Sequence, residues 1–118
     1  MAIFKYSEIG ISGISAAVPK EKYNNLAPND FFTEKEAKSV VKMTGIKERR
    51  VAPSNICASD LCYMAAEQLL KEMAIDINTI DVLIFISQTP DYRMPATGII
   101  LQHRLGLSKS CAAFDINL

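Results

Sequence analysis

The sequence predicts a mixed α/β fold with a largely parallel sheet. Three observations carry this. Strand-like and helix-like patterns alternate along the 118 residues, with no linker, repeat or low-complexity tract between them. Val82-Leu-Ile-Phe-Ile86 is a continuous apolar run, the pattern of a strand buried on both faces inside a parallel sheet. Cys62, Ala65, Ala66, Leu69, Leu70 and Met73 mark one face of a helix just before it.

Each element has its own local signal. From Glu8 to Val18, Ile9 and Ile11 alternate with Gly and Ser until Pro19 ends the run, which reads as a strand. Thr33 and Glu36 have capping-box spacing, each able to satisfy a free backbone N–H at a helix start. Ala37, Val40 and Val41 follow at helical spacing, and Gly45 suits the residue after the helix. Lys47 to Ala52 is a short, basic, extended stretch stopped by Pro53. The helix from about Ser59 to Met73 has Ser59 as its candidate N-cap and is expected to pack on the sheet through Leu69 and Leu70. Pro95 suits the first turn of a further helix that ends near Leu105, with Gly106 after it. Ala112, Phe114, Ile116 and Leu118 alternate with Asp115 and Asn117, a strand that runs to the end of the sequence and implies an incomplete unit. The four strands are expected to join one sheet.

Composition narrows the class. Lys plus Arg equals Asp plus Glu at 13 each, so no net field draws the chain to nucleic acid or an acidic membrane. Hydrophobic residues at 49% exclude a disordered polymer. The first residues lack an apolar core with a small-residue cleavage site, and Val82 to Ile86 is far too short to span a bilayer. Cys57, Cys62 and Cys111 fit neither a zinc spacing nor a disulfide framework, which reads as reduced thiols in a cytoplasmic protein.

No residue carries a reaction by its chemistry alone. His103 is the one histidine and lies on a helix one turn past Ile99 and Ile100, so a metal site would need carboxylates that are not spaced for one. Cys111 precedes a strand, whereas a reactive thiol needs a helix N-terminus or a nearby base. Cys57 and Cys62 read as packing residues. Lys47, Arg49 and Arg50 form the dense basic cluster, and strand alternation sends Arg49 and Arg50 to opposite faces. They read as a solvated strand or an internal ion pair, or as a contact to a phosphate or pantetheine group. The loop Gln88-Thr-Pro-Asp-Tyr-Arg-Met-Pro95 follows the C-terminal end of the buried strand, where α/β folds bind ligands, and is the best local candidate for a pocket wall.

Four segments then carry a resemblance. They are Ile9-Gly-Ile-Ser-Gly13 with Pro19, Thr44-Gly-Ile-Lys-Glu-Arg-Arg50, Asp81 to Thr89 with Pro95 beyond, and Leu105-Gly106 leading to Ala113-Phe-Asp115. Together they resemble the start of a β-ketoacyl-acyl-carrier-protein synthase III, a member of the thiolase-like superfamily. The resemblance implies that residues 1–118 are a partial N-terminal thiolase-like domain whose C-terminal half is absent. It implies a cytoplasmic acyltransferase that performs decarboxylative Claisen condensation in fatty acid or related biosynthesis, without a cofactor. An acyl-CoA or acyl-acyl-carrier-protein donor, malonyl-acyl-carrier protein and a second copy in a homodimer are the implied partners. The acyl-accepting cysteine is expected just beyond Leu118, at a helix N-terminus that lowers its pKa, with histidine and asparagine partners much further on. The catalytic residues are therefore expected outside this chain, and residues 1–118 alone are expected to be inactive.

Four substrate-binding candidates follow: Arg49 from the basic cluster, and Ser39, Met43 and Met94 from the resemblance. Ser39 and Met43 stand where the family places a tryptophan and an arginine that hold coenzyme A, which favours a carrier-protein donor or a CoA held differently. Met94 matches a position, often phenylalanine, that reaches the acyl pocket across the dimer interface; a flexible methionine admits a longer or differently shaped chain. The loop from Gly106 to Phe114 is slightly longer than the family pattern. A thiolase-like synthase with another acyl donor and a non-catalytic ketosynthase-like partner subunit are the alternatives. Apolar surface around Phe114 and Ile116 is expected to lie open unless another copy covers it.

Overall fold

A computed structural model describes residues 7–28 and 30–117 of the chain. The expected capping box forms at the start of helix α1, Glu34–Thr44. Thr33 Oγ1 accepts from the Glu36 N–H at 3.4 Å, and Glu36 Oε2 accepts from the Thr33 N–H at 2.8 Å. Gly45 closes the helix at φ 74°, a left-handed conformation that glycine adopts without a Cβ clash, and its N–H donates to Val41 O at 2.8 Å. The chain then enters strand β2, Glu48–Arg50, which pairs antiparallel with strand β1, Lys22–Asn24.

Helix α2 spans Ala58–Glu72. Its N-cap is Cys57, whose N–H donates to the Asp60 carboxylate at 2.9 Å. A single turn at Ile77–Thr79, capped by the Asp76 side chain, leads to strand β3, Val82–Ile86. Helix α3, Thr97–Arg104, follows, and Gly106 reverses the chain at φ 69° into strand β4, Ala112–Ile116. Strands β3 and β4 pair in parallel, Val82 opposite Ala112 through Ile86 opposite Ile116. Helix α3 lies on these two strands and α2 lies against α3. Phe85, Leu101, Leu107 and Cys111 are the buried apolar residues of this part, and Ala37 is the buried apolar residue of α1. The radius of gyration is 18.6 Å, where a compact domain of this length measures about 13.5 Å, so the core is thin for the chain it serves.

Six expectations need correction. The described strands form two separate two-stranded sheets, one antiparallel and one parallel, and not one mixed sheet. The segment from Glu8 to Val18 forms no strand: a ladder needs a partner edge, and Ile9, Ile11 and Ile14 stay exposed while Gly13 approaches α2 at Met73 and Leu69 and Ala16, Ala17 and Val18 share a cleft with that helix. Val82 to Ile86 is not buried on both faces. Phe85 is 3% exposed, but Val82, Ile84 and Ile86 are 52%, 48% and 61% exposed, because α3 covers one face only. Ser59 is not the N-cap; it sits inside the first turn of α2, buried, with its hydroxyl donating to Asp91. Pro95 lies ahead of α3, which starts at Thr97 after Ala96, and it is α3, with Gly98 against the strand, that packs on the sheet in place of the Leu69–Leu70 face of α2.

The parallel pairing of the Val82 to Ile86 strand, the α1 caps and the α3 stop at Gly106 hold as read. Phe114 and Ile116 are open as expected, at 44% and 39%. Leu118, expected in the last strand, and residues 1–6, read for a leader, lie outside the described residues.

Candidate functional site

The antiparallel pair β1–β2 and α1, which connects them, together shape one cleft. Tyr23 and Arg49 are paired across β1 and β2, and the Arg49 guanidinium stacks on the Tyr23 ring at 4.4 Å. The same guanidinium donates to the Asn25 side-chain oxygen. Asn25 in turn fixes the entry to β2, donating from its side chain to Ile46 O at 2.9 Å and from its backbone to Lys47 O at 2.9 Å. Arg49 thereby stands, with Ala37, Val40, Val41 and Phe32, at the wall of a cleft of about 330 Å³. One cation at the edge of an apolar cleft suits an extended apolar group with an anionic end.

Arg50 points the other way, as strand alternation requires, and donates to Pro19 O at 2.8 Å and Lys20 O at 3.1 Å. Its role is to hold the chain ahead of β1. Lys47 joins the Arg49 arrangement through its backbone carbonyl, which accepts from Asn25, and the residue is exposed.

Ser39 and Met43 are four residues apart on α1 and exposed, off the stripe that lines the cleft; Met43 is 80% exposed. Met94 is 88% exposed on the loop between β3 and α3. Of the four candidates, only Arg49 lines this cleft.

The loop that carries Met94 is held by polar contacts along its length. The buried Ser59 hydroxyl donates to the Asp91 carboxylate, which joins the loop to the start of α2. At the far end of the loop, Asp115 of β4 accepts from the Thr97 N–H at 2.8 Å and the Gly98 N–H at 2.6 Å. Ala96 offers no side-chain cap, so Asp115 serves as the cap for α3 from a different element. Gly98 allows the approach: a Cβ there would stand 3.0 Å from Asp115 Oδ1 and 3.0 Å from Phe114 O.

Residue patterns offered Ser59 as a helix cap, Asp91 as part of a loop and Asp115 as a strand residue, and none of the three as an anchor of this loop. The signal for Asp115 was present, as a carboxylate alternating with apolar residues on a strand beside a helix whose first residues carry no cap.

Cysteine and histidine chemistry is not assembled among the described residues. Cys111 is buried, with a weak contact from its Sγ to Ala112 O at 3.9 Å. Burial, and next the Asp91 charge, push the Cys62 thiol above the usual range, which disfavours the thiolate. His103 is exposed near the end of α3, and no cysteine is hydrogen-bonded to it. Asp60 is held below the usual carboxylate range, first by the Cys57 N–H and then by Arg104, whose guanidinium donates to it at 2.8 Å and stacks on Tyr63 at 4.6 Å. This pair ties α2 to α3. No helix among the described residues is long and apolar enough to cross a membrane.

No family model matches the chain. Individual proteins do. A β-ketoacyl-[acyl-carrier-protein] synthase III of Neisseria gonorrhoeae is 37% identical over 109 residues, which covers 90% of this chain and 33% of that protein. The crystal structure of a 3-oxoacyl-(acyl-carrier protein) synthase from Burkholderia xenovorans superposes with a TM-score of 0.78 at 42% identity, over 89% of this chain and 31% of the other. A cysteine-to-serine variant of Xanthomonas campestris OleA, solved with bound lauric acid and lauroyl-CoA, superposes with a TM-score of 0.74 at 25% identity, over 92% of this chain and 34% of that one. The chain thus spans about a third of the length of the relatives it matches.

Proposed function

We propose that this chain, homologous to about a third of a 3-oxoacyl-acyl-carrier-protein synthase III and folded as part of a thiolase-like fold, serves as the N-terminal portion of an acyltransferase that performs decarboxylative Claisen condensation. The observation that carries the reading is the 42% identity to the Burkholderia synthase held together with a TM-score of 0.78 over nine-tenths of the chain. In the whole protein, a cysteine just past Leu118 attacks an acyl thioester and releases the donor thiol. Malonyl-acyl-carrier protein then loses carbon dioxide, and the resulting enolate attacks the enzyme-bound acyl group and expels the cysteine thiolate. The product is a β-ketoacyl-acyl-carrier protein, and no oxidant or cofactor is consumed. This portion contributes pocket walls: Met94 toward the acyl chain and Ser39, Met43 and Arg49 toward the donor's carrier group.

The protein works in the cytoplasm as a homodimer in this reading. The open apolar residues Val82, Ile84, Ile86, Phe114 and Ile116 and the projecting Met94 support burial against further polypeptide. A thiolase-like synthase with a different acyl donor is the second reading, favoured by Ser39 and Met43 at the donor positions and by the lauroyl-CoA-bound OleA.

The experiment is carbon dioxide release from malonyl-acyl-carrier protein by the full-length protein, with and without acyl-CoA or acyl-carrier-protein donors. Release that depends on a donor, with formation of the β-ketoacyl product, supports condensation. Malonyl-carrier protein left intact with every donor defeats it. Activity with the carrier-protein donor alone supports the altered donor site.

A further inference from the structure

The loop bearing Met94 is fastened to the end of β4 at both of its own ends. At its start, the Ser87 N–H donates to Ile116 O at 3.2 Å. At its finish, the Thr97 and Gly98 N–H groups donate to the two oxygens of Asp115, and Gly98 brings α3 within van der Waals limits of the Phe114 carbonyl. In the middle, Asp91 holds the loop to the buried Ser59 of α2. The part left free between these anchors carries Met94.

We infer that Asp115 is a positioning residue for the condensation: with Gly98 as its spacer, it sets the distance between the Met94 loop and the strand that leads to the acyl-accepting cysteine, and so sets which acyl chain fits. The inference rests on the proposed function. A carboxylate that accepts two backbone N–H groups fixes both the separation and the tilt of α3 relative to β4, because the bonds are charge-assisted and no other group caps this helix. Reactivity and pocket shape depend steeply on such distances, since a displacement of about 1 Å costs roughly a hundredfold in rate.

The test uses the full-length protein and two acyl donors that differ in chain length. In Asp115→Asn, one N–H faces an amide NH2 in place of an acceptor. Gly98→Ala keeps the carboxylate and presses the helix outward by a few tenths of an ångström. Asp76→Ala, which removes the cap of the isolated turn before β3, is a control for stability loss away from the loop. The expected result is a roughly tenfold change in the ratio of kcat/KM for the two donors in Asp115→Asn and Gly98→Ala, with the ratio unchanged in Asp76→Ala. Unchanged ratios in both variants, with activity falling only as melting temperature falls, overturn the inference and leave Asp115 a helix cap. Should Asp115→Asn fail to fold, Gly98→Ala decides; failure of both to unfold cooperatively also assigns the pair to structure alone. A wild-type protein inactive toward both donors removes the proposed function, and this inference with it.

Discussion

Gly45→Ala isolates one backbone term inside the Thr44-Gly45-Ile46 segment. Gly45 sits at φ 74°, and a Cβ built there meets no atom within 4 Å. Steric collision with the rest of the fold therefore contributes nothing, and the full cost is that of an L-residue in the left-handed region. That cost is about 1 kcal/mol, near fivefold in the folded-to-unfolded ratio. Gly10 supplies the contrast, because its Cβ is equally free but its φ is not in the left-handed range. Gly10→Ala should change stability by less than about 0.5 kcal/mol. Gly45→Asn should recover a large part of the loss, since asparagine tolerates this conformation. The assay is chemical denaturation followed by far-ultraviolet circular dichroism on all three variants and the parent. The turn also delivers Ile46 and Lys47 to Asn25, so Gly45→Ala should loosen the Arg49–Asn25–Tyr23 cluster as well. Equal costs for Gly45→Ala and Gly10→Ala, or an asparagine variant no better than alanine, would refute the reasoning.

Phe85→Ala should cost about 3–4 kcal/mol because Phe85 is 3% exposed under α3, whereas Ile86→Thr on the open face should cost less than about 1 kcal/mol; similar losses at the two sites would contradict the one-sided packing. Asp60 has a depressed carboxyl pKa in the folded state, so its contribution is present above the ordinary carboxylate range and is lost as pH falls through the lowered value. The stability deficit of Asp60→Asn should accordingly be largest near neutral pH and fade in acid, and a deficit that persists undiminished in acid denaturation curves would count against the Cys57 and Arg104 contacts. Alkylation of Cys62 should begin only above the pH where a free thiol ionises, and Asp91→Asn should move that onset to lower pH. An onset that does not move would remove Asp91 as an influence on the thiol.

Local signals were legible where the physics is local. The Thr33–Glu36 box, the glycine stops at Gly45 and Gly106 and the Val82 to Ile86 strand depend on neighbours in sequence, and each appears in the structure. Ser59 misled because a serine beside a helix start has two fates. Its hydroxyl reaches Asp91, 32 residues on, while Asp60 holds the cap N–H. Strand β1 escaped because Lys22-Tyr-Asn24 is too short and polar for a period, and its partner β2 lies beyond α1, where Arg49 reaches back to Asn25. Ile9, Ile11 and Ile14 carry strand-forming residues, but pairing needs an edge that the described chain does not bring to them. The candidate site was legible as a loop and a basic cluster. Its anchors were not, because Asp115 acts on α3 through space, and sequence periodicity reports only which side of β4 it occupies.

Mass spectrometry of the full-length protein after incubation with acyl-CoA, and separately with acyl-carrier protein, tests the central claim most directly. The account predicts one acyl group on a cysteine just past Leu118, with Cys57, Cys62 and Cys111 unmodified and residues 1–118 alone unlabelled. Acyl label on Cys111, or no label from either donor, would contradict it.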